Sequence, residues 1–258
     1  MISGQTIRSH VKHEKLNIRL FDVIDSTNSE AKRIAKENVE GFAPTLIVAQ
    51  GQTAGRGRMG RSFVSRRDGG IFMSLLYLSD EPMESAVSIT TAAAAVVAQA
   101  IESVTGRDMK IKWVNDIYDE HGKVCGILAE TASVGGKFAV IVGIGINTGT
   151  PDFPEELKGI ASSIGELDGQ ENLLIAKITD GLLTCAENTK DRSYMQAYRE
   201  RFMLAGKAVD LLHCGERTGG GRVVGVDDNG GLLILPDGQD CVTVIQSGEI
   251  SVREQKTE

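Results

Sequence analysis

Two apolar runs separated by a pair of glycines constrain the fold of this chain more than any other feature. The runs are KVCGILAETAS at residues 123–133 and KFAVIVGIGIN at residues 137–147, with Gly135 and Gly136 between them. Apolar runs rich in β-branched residues and divided by a glycine pair are typical of two antiparallel strands joined in a hairpin. The sequence therefore predicts a β-hairpin near the middle of the chain.

Further strands and helices are predicted on both sides of this hairpin. Strands are indicated at residues 17–24, 45–50, 71–78 and 109–114, and helices at residues 25–38, 85–106, 171–188 and 191–204. The segment NDIYDEHGK, after the last of these strands, is expected to turn the chain. Beyond residue 205, short strands split by Gly, Asp and Asn predict a small β-barrel of about 50 residues. We therefore predict an α+β domain at 1–205 and an all-β domain at 206–258.

Composition and charge limit the classes of function. The chain has 258 residues, enough for one sizeable core and a small appendage, and a formal net charge of −7. That charge argues against a broad electrostatic grip on nucleic acid. The N-terminus lacks an apolar core of signal-peptide length, and the most apolar run, residues 92–98, is too short to span a bilayer. A cytoplasmic protein without a membrane partner is expected.

The cysteines and histidines form no pattern typical of disulfides or zinc. The four cysteines lie far apart without a C-x-x-C, and they are expected to be reduced and buried: Cys125, Cys185, Cys214 and Cys241. His10 and His13 are three residues apart near an end that is expected to be mobile. No histidine has a partner at zinc-site spacing, so a metal–histidine site is not expected.

The segment GQTAGRGRMGRSFVS, residues 51–65, contains a G-x-G-x-x-G at Gly55, Gly57 and Gly60. A dinucleotide-binding site would need a helix that opens at the third glycine, and no helical period follows here. The downstream kinase motifs are absent, and Gly60 is not followed by the lysine of a Walker A loop. The motif alone is therefore a weak signal.

Arginines distinguish this segment from an ordinary glycine-rich turn. Arg56, Arg58 and Arg61 lie on it, and no acid interrupts residues 51–67, which we call the glycine–arginine loop. The loop could be a solvated connector with surface arginines. Alternatively, since arginine suits bidentate phosphate contacts and glycine lets the backbone bend, it could be a mobile lid that closes on a phosphate-bearing ligand.

Polar residues and glycines also gather at the predicted strand ends. Asn115 and Asp116 end one strand and Lys123 begins the next, although turn residues and a solvated lysine are the ordinary interpretation. Glycine inside an apolar strand costs stability and often marks close approach of a ligand. Gly126, Gly143 and Gly145 are such positions, and Asn147 ends the second strand. Ser26, Thr27 and Asn28 could cap a helix and could also contact a neutral polar ligand. Together they indicate a groove floored by backbone.

Five motifs in this order resemble the biotin protein ligases: DSTNSEA, GQTAGRGRMGR, KWVND, GKVCGIL and GIGIN. The resemblance covers about residues 17–150, and the C-terminal segment resembles the small SH3-like domain of that family. It implies the biotin–lipoate ligase fold, similar to class II synthetases, in which helices flank a mixed β-sheet and a small barrel follows. The sequence departs from the family pattern at Met59, Phe63 and Val114. About 16 residues precede the first strand, so a form without an N-terminal DNA-binding domain is expected.

The resemblance implies a ligase that activates biotin with ATP and Mg²⁺ to biotinyl-5′-AMP and then biotinylates a lysine of a biotin carboxyl carrier protein, as in acetyl-CoA carboxylase. The implied catalytic residues are Lys123, Arg58 and Asp116. The implied biotin-binding residues are Ser26, Thr27, Asn28, Gln52, Gly55, Arg56, Lys123, Gly126, Gly143 and Gly145, with Phe63 and Trp113 as candidate apolar walls. The implied ATP-binding residues are Arg56, Arg58, Arg61, Asn115, Asp116, Lys123 and Asn147. Mg²⁺ would accompany ATP near Asp116.

Two other functions stay open on sequence. A lipoate or octanoate ligase or transferase shares the related fold but lacks the G-R-G-R-x-G loop and KWxND. A non-catalytic biotin-binding regulator would not need the full set of arginines and lysine. The expected partners are the carrier domain, biotin and ATP. A homodimer through sheet edges is a family expectation, and no DNA partner is expected.

Overall fold

The computed structural model describes residues 1–37, 42–79, 86–134, 136–213, 215–246 and 250–255. Within these ranges the helices are α1 Gly4–His10, α2 Thr27–Glu37, α3 Ala86–Thr105, α4 Glu171–Glu187 and α5 Tyr194–Arg201. The strands are β1 Asn17–Ile24, β2 Thr45–Gln52, β3 Gly70–Ser79, β4 Lys110–Lys112, β5 Asp116–Tyr118, β6 Lys123–Val134, β7 Lys137–Asn147, β8 Ala208–His213, β9 Glu216–Val226, β10 Leu232–Pro236, β11 Thr243–Ile245 and β12 Ile250–Glu254.

The larger sheet has seven strands in the order β1-β2-β3-β7-β6-β5-β4. β1 and β2 are parallel and the other pairs are antiparallel, so the sheet is mixed. The expected hairpin is its centre: β6 and β7 pair along their length, which places Gly126 opposite Gly145. On the other side of β7, Ser74 of β3 lies opposite Gly143. The glycines therefore meet near the middle of the sheet.

Helices cover both faces of this sheet. Ala31, Ile34 and Ala35 of α2, spaced one helical turn apart, pack against sheet residues that include Ile47 and Ile141. On the other face, α3 packs between the sheet and the helices α4 and α5 in the main core. The fold is thus α+β with a mixed sheet flanked by helices, as expected.

By length and composition, Val87–Thr105 of α3 would be long enough to cross a membrane, but 72% of that stretch is buried inside the protein. Alanines and branched residues, including Ala94, Val97 and Ile101, have no exposed surface. Small side chains let the helix lie close to the sheet and to its helical neighbours. This burial is typical of a core helix.

The smaller sheet is antiparallel, with the order β11-β10-β9-β8-β12. The predicted C-terminal all-β unit is present, but its barrel is not closed, because the two edge strands β11 and β12 do not pair within the described residues. β11 has only three residues, and all three pair with β10. The sheet docks on the larger domain through its 227–231 turn, where Trp113 Nε1 donates to Gly230 O at 2.9 Å. The division at residue 205 stays a prediction.

Two local expectations at the ends of elements are wrong. The segment after β4 does not simply turn the chain, because Asp116–Tyr118 forms β5 between β4 and β6. The N-terminal segment, expected to be mobile, forms α1, in which Ile7 is fully buried. His13 pairs with Asp180 of α4 at 2.9 Å rather than standing free.

Burial of the cysteines differs from site to site. Cys125 is buried as expected, whereas Cys185 is half-buried and Cys241 is exposed, and these three are unpaired. The β6 pleat turns Cys125 into the core, while Cys241 lies in the loop before β11. Cys214 lies outside the described residues.

Candidate active site

A cavity of about 540 Å³ opens above the centre of the larger sheet. Most of the residues singled out from sequence line it: Ser26, Thr27, Asn28, Gln52, Arg56, Arg58, Arg61, Phe63, Trp113, Asn115, Asp116, Lys123, Gly126, Gly143 and Gly145. Gly55 and Asn147 do not. Gly55 lies at the base of the loop, where an added Cβ would be 2.4 Å from Phe63 O. Asn147 is buried and its amide donates to Ser162 O at 2.9 Å.

The floor of the cavity is bare backbone because three strand positions are glycine. An added Cβ at Gly143 would lie 2.1 Å from Asn28 Oδ1, and one at Gly145 would lie 2.5 Å from Phe63 Cε1. At Gly126 the corresponding distance to Phe63 Cε2 is 3.1 Å. The glycines therefore admit the Asn28 amide and the Phe63 ring to the floor, where any larger residue would exclude them.

Polar groups at the start of α2 form a cradle on this floor. Thr27 N donates to Gln52 Oε1 at 2.8 Å, which fixes the Gln52 amide across the strand–helix corner. Ser74 Oγ, fully buried on β3, lies 2.7 Å from Thr27 Oγ1 and 2.6 Å from Asn28 Oδ1. Ser74 was missed from sequence, although a single hydroxyl inside the apolar run IFMSLLYL is the signal that could have indicated it.

The glycine–arginine loop folds over the cavity as two arms joined by backbone hydrogen bonds. Phe63 N donates to Gly55 O at 3.0 Å, and Gly57 N donates to Arg61 O at 2.7 Å. At the tip, Met59 adopts a left-handed φ of 57° and Gly60 one of 73°. The second arm is fixed to the strand end, because Gln52 N donates to Ser65 O at 2.9 Å.

The arginines of the loop differ in where they point. Arg58 donates to Asn115 Oδ1 at 2.6 Å, and burial lowers the pKa of its guanidinium. Arg56 lies 3.3 Å from a carboxylate oxygen of Glu130 on β6. Arg66 and Arg67 point away from the cavity and pair with Asp152 and Asp22 at the surface.

A lysine and an aspartate face each other at the lip of the cavity. Lys123 Nζ lies 2.7 Å from Asp116 Oδ1, across the β5–β6 pair. That oxygen is buried, yet it makes no hydrogen bond of standard geometry with the described part of the chain. The contact is therefore an ion pair of poor hydrogen-bond alignment, in which Lys123 offsets the charge of the Asp116 carboxylate.

Two further cations, which were not predicted from sequence, line the same cavity. Lys112, on β4, lies with its ammonium 5.8 Å from the centre of the Tyr118 ring. Burial lowers the pKa of Lys112, the Asp116 charge opposes that effect, and the charges of Lys123 and Arg253 add to it. Arg253 comes from β12 of the smaller sheet. Leu157 and Ile160 form an apolar part of the cavity wall, and Ile160 remains 55% exposed to solvent.

A single carboxylate at the lip of the cavity is enough to bind a metal ion that enters together with a phosphate ligand. Mg²⁺ is usually held by one or two carboxylates together with substrate phosphates. Asp116 is the one carboxylate that lines the cavity within the described residues, and it would have to share its charge between Lys123 and such an ion. Within the described ranges there is no cluster of three or more His, Cys, Asp or Glu that could hold a metal by itself.

Known proteins are similar to this chain in sequence and in architecture. Residues 20–147 match the model of the biotin/lipoate A/B protein ligase family. The chain is 36% identical over 264 residues to the bifunctional ligase/repressor BirA of Bacillus spizizenii, which covers 97% of this chain and 79% of that protein. It is 28% identical to the biotin–[acetyl-CoA-carboxylase] ligase of Mycobacterium tuberculosis, over 90% of this chain and 88% of that one. The solved structure of the biotin protein ligase from Aquifex aeolicus in complex with biotin and ATP matches with a TM-score of 0.75 and 31% identity, over 93% of this chain and 99% of that chain.

Proposed function

The chain belongs to the biotin/lipoate A/B protein ligase family, and we propose that it is a biotin protein ligase. It joins biotin to ATP as biotinyl-5′-AMP and then transfers the biotinyl group to a lysine of a biotin carboxyl carrier protein, as in acetyl-CoA carboxylase. The observation that carries this proposal is one cavity lined both by a neutral polar cradle, Thr27 and Asn28, and by the cations Arg58 and Lys123. A ligand that is neutral at one end and a polyanion at the other fits such a cavity.

In the first step a carboxylate attacks the α-phosphate, so two anions must approach each other. Fixed cations offset that repulsion and stabilise the charge that develops on phosphate. We assign this role to Lys123, Arg58 and Arg61, which line the cavity. We also assign Lys112 and Arg253 to attract the departing pyrophosphate, because they line the same cavity on the side of the smaller sheet.

The polar cradle is assigned to the ureido ring of biotin. Ser26, Thr27 and Asn28 are all less than 5% exposed and present hydroxyl and amide groups to the cavity. Gln52 orients Thr27, and the Phe63 ring gives an apolar wall. A dithiolane ring, as in lipoate, lacks the N–H and C=O groups with which a ureido ring could hydrogen-bond to this cradle.

In the second step the ammonium of the acceptor lysine must reach the adenylate and lose a proton. We assign Asp116 to attract that ammonium, since it is a carboxylate at the lip of the cavity that already pairs with the Lys123 cation. The neutral amine then attacks the biotinyl carbonyl and AMP leaves. Closure of the glycine–arginine loop excludes water from the labile anhydride in the meantime.

Mg²⁺ fits the lip of the cavity as an ion carried in by ATP. Asp116, with Asn115 beside it, would hold it there. Bound in this way, the ion would neutralise charge on the triphosphate.

The cellular setting follows from the proposed reaction. We propose a carrier domain as the macromolecular partner, a cytoplasmic location, a homodimer through the edges of the larger sheet and no binding of DNA. The net charge of −7 supports the last of these.

Release of pyrophosphate tests the proposed function. The protein with Mg-ATP is expected to release pyrophosphate when biotin is added, but not when lipoate or octanoate is added. Titration calorimetry with biotin and with lipoate should show the same preference. Release with lipoate would indicate the related ligase, and biotin binding without release would indicate a non-catalytic regulator.

A further inference from the structure

Glu130 on β6 binds the cradle and the glycine–arginine loop at the same time. Its Oε2 accepts from Asn28 Nδ2 at 3.0 Å. Its Oε1 accepts from Lys32 Nζ at 2.8 Å and lies 3.3 Å from an Arg56 guanidinium nitrogen. One carboxylate thus connects helix α2, strand β6 and the first arm of the loop.

The contact to Glu130 is the charge-assisted one of three hydrogen bonds that fix which way the Asn28 amide points. Asn28 Nδ2 donates to Glu130 and also lies 3.3 Å from Leu128 O, so its Oδ1 must face Ser74 and the Gly143 backbone. Without the charged acceptor at Glu130, the two flipped orientations of the Asn28 amide would differ less in energy. The orientation of the cradle towards a ligand therefore depends on Glu130.

The same contacts form a path that begins and ends on the loop. Ser65, on the second arm, accepts from Gln52 Nε2 at 2.8 Å, and Gln52 Oε1 accepts from Thr27 N. From Thr27 the path runs through Ser74 and Asn28 to Glu130, and from Glu130 to Arg56 on the first arm. Both arms are therefore held through the floor of the cavity.

Glu130 is suited to this position because it is ionised and only 18% exposed in its side chain. Burial would raise the pKa of its carboxyl, but hydrogen bonds from Lys32 and Asn28 and the charges of Lys32 and Arg56 together bring that pKa below its ordinary value. Hydrogen bonds to a charged group are stronger than neutral ones, and partial burial reduces their screening.

We propose that Glu130 is a positioning residue for biotin activation, which sets the Asn28 amide and latches Arg56 so that an ordered cradle and a closed loop occur together. Glu130 does not line the cavity and acts through Asn28 and Arg56. This inference rests on the proposed function. It also assigns Arg56 to ordering the loop rather than to binding the biotin carboxylate.

The test compares Glu130→Gln with Glu30→Gln, a matched change at a glutamate of α2 that pairs with Arg33 and Arg19 away from the loop. Glu130→Gln is expected to raise the KM for biotin about 10-fold, while kcat at saturating biotin changes less than about 3-fold. Trypsin should also cut the ligand-free loop faster in Glu130→Gln. Glu30→Gln should match the parent in both measurements.

Arg56→Gln is a second test variant. It leaves the sheet undisturbed, because Arg56 is exposed on the loop. Because trypsin cannot cut at position 56 of this variant, cutting is compared at Arg58 and Arg61 in all variants. Arg56→Gln should reproduce the faster cutting there, and the double variant should be no more sensitive than the worse single variant. Additive effects, or a Glu130→Gln protein with parental KM and cutting, would overturn the proposal. If the parent made no biotinyl adenylate, the proposed function would fail, whereas the cutting of the ligand-free loop would still decide the role of Glu130.

Discussion

The Arg58 guanidinium donates a 2.6 Å hydrogen bond to Asn115 Oδ1, although 57 positions separate the two residues. The Asn115 amide is itself fixed, because its Nδ2 donates to Ile127 O at 3.0 Å. The carbonyl oxygen of Asn115 therefore faces the loop. This bond attaches the tip of the glycine–arginine loop to the lip of the cavity, directly before Asp116.

Arg58→Gly is expected to loosen this attachment without abolishing the first step, since Lys123 and Arg61 remain. Biotinyl adenylate should form within about 10-fold of the parental rate and dissociate at least about 10-fold faster, because affinity changes between close variants lie mostly in the off-rate. Escaped adenylate should label lysines of added albumin, read on a streptavidin blot. Arg66→Gly, which removes a surface arginine outside the cavity, is the control. Parental retention of adenylate in Arg58→Gly would show that Arg58 is not part of the closure.

Lys123→Ala is expected to slow adenylate formation by about 100-fold or more, because a fixed cation at the developing charge is lost. The free energy of unfolding should change by less than about 1 kcal/mol, since the Lys123–Asp116 pair is partly exposed. Pyrophosphate release and urea denaturation measure the two quantities, with Lys36→Ala on exposed α2 surface as control. A parental rate in Lys123→Ala would leave Lys123 as an ordinary surface lysine.

Gly145→Ala is expected to weaken biotin binding by at least about 10-fold, because the new Cβ would meet the Phe63 ring at 2.5 Å and push it into the cavity. Titration calorimetry measures the Kd. Gly225→Ala is the matched control, since an added Cβ at that strand position meets no atom within 4 Å. Equal Kd values for the parent and Gly145→Ala would contradict the assignment of this floor to biotin.

The contribution of Glu130 to stability is expected to depend on pH in one direction. Its pKa in the folded protein lies below the ordinary value of 4.5, so the ionised carboxylate stabilises the fold above that pH. The contribution is lost as the pH falls through the lowered folded pKa, where a protonated glutamate resembles glutamine. The difference in unfolding free energy between the parent and Glu130→Gln should therefore shrink on acidification. A difference that stayed constant from neutral pH to pH about 3 would contradict this account.

The elements that local pattern determines were predictable from sequence. The β6–β7 hairpin needs only two apolar runs and a glycine pair, and α3 needs only an alanine-rich stretch that ends before Gly106. The motif residues that line the cavity were also identified, since glycine inside a strand and arginine on a loop are locally unusual.

What depends on contacts between distant segments was not predictable. Ser74 and Glu130 read as ordinary strand residues until β3 and β6 are placed beneath α2. Arg253 joins the cavity only because the smaller sheet docks against Trp113, and the three-residue β5 depends on pairing with both β4 and β6. Closure of a barrel likewise depends on whether two strand edges meet, which the alternation within each strand does not encode.

Mass spectrometry of a biotin carrier domain incubated with this protein, biotin and Mg-ATP tests the central claim most directly. We predict a gain of one biotinyl group on a single lysine of the carrier, dependent on ATP and absent when that lysine is replaced by arginine. Parallel incubations with lipoate or octanoate should leave the carrier unmodified. A carrier that stays unmodified with biotin while adenylate accumulates, or one that gains lipoate instead, would contradict the assignment of this chain as a biotin protein ligase.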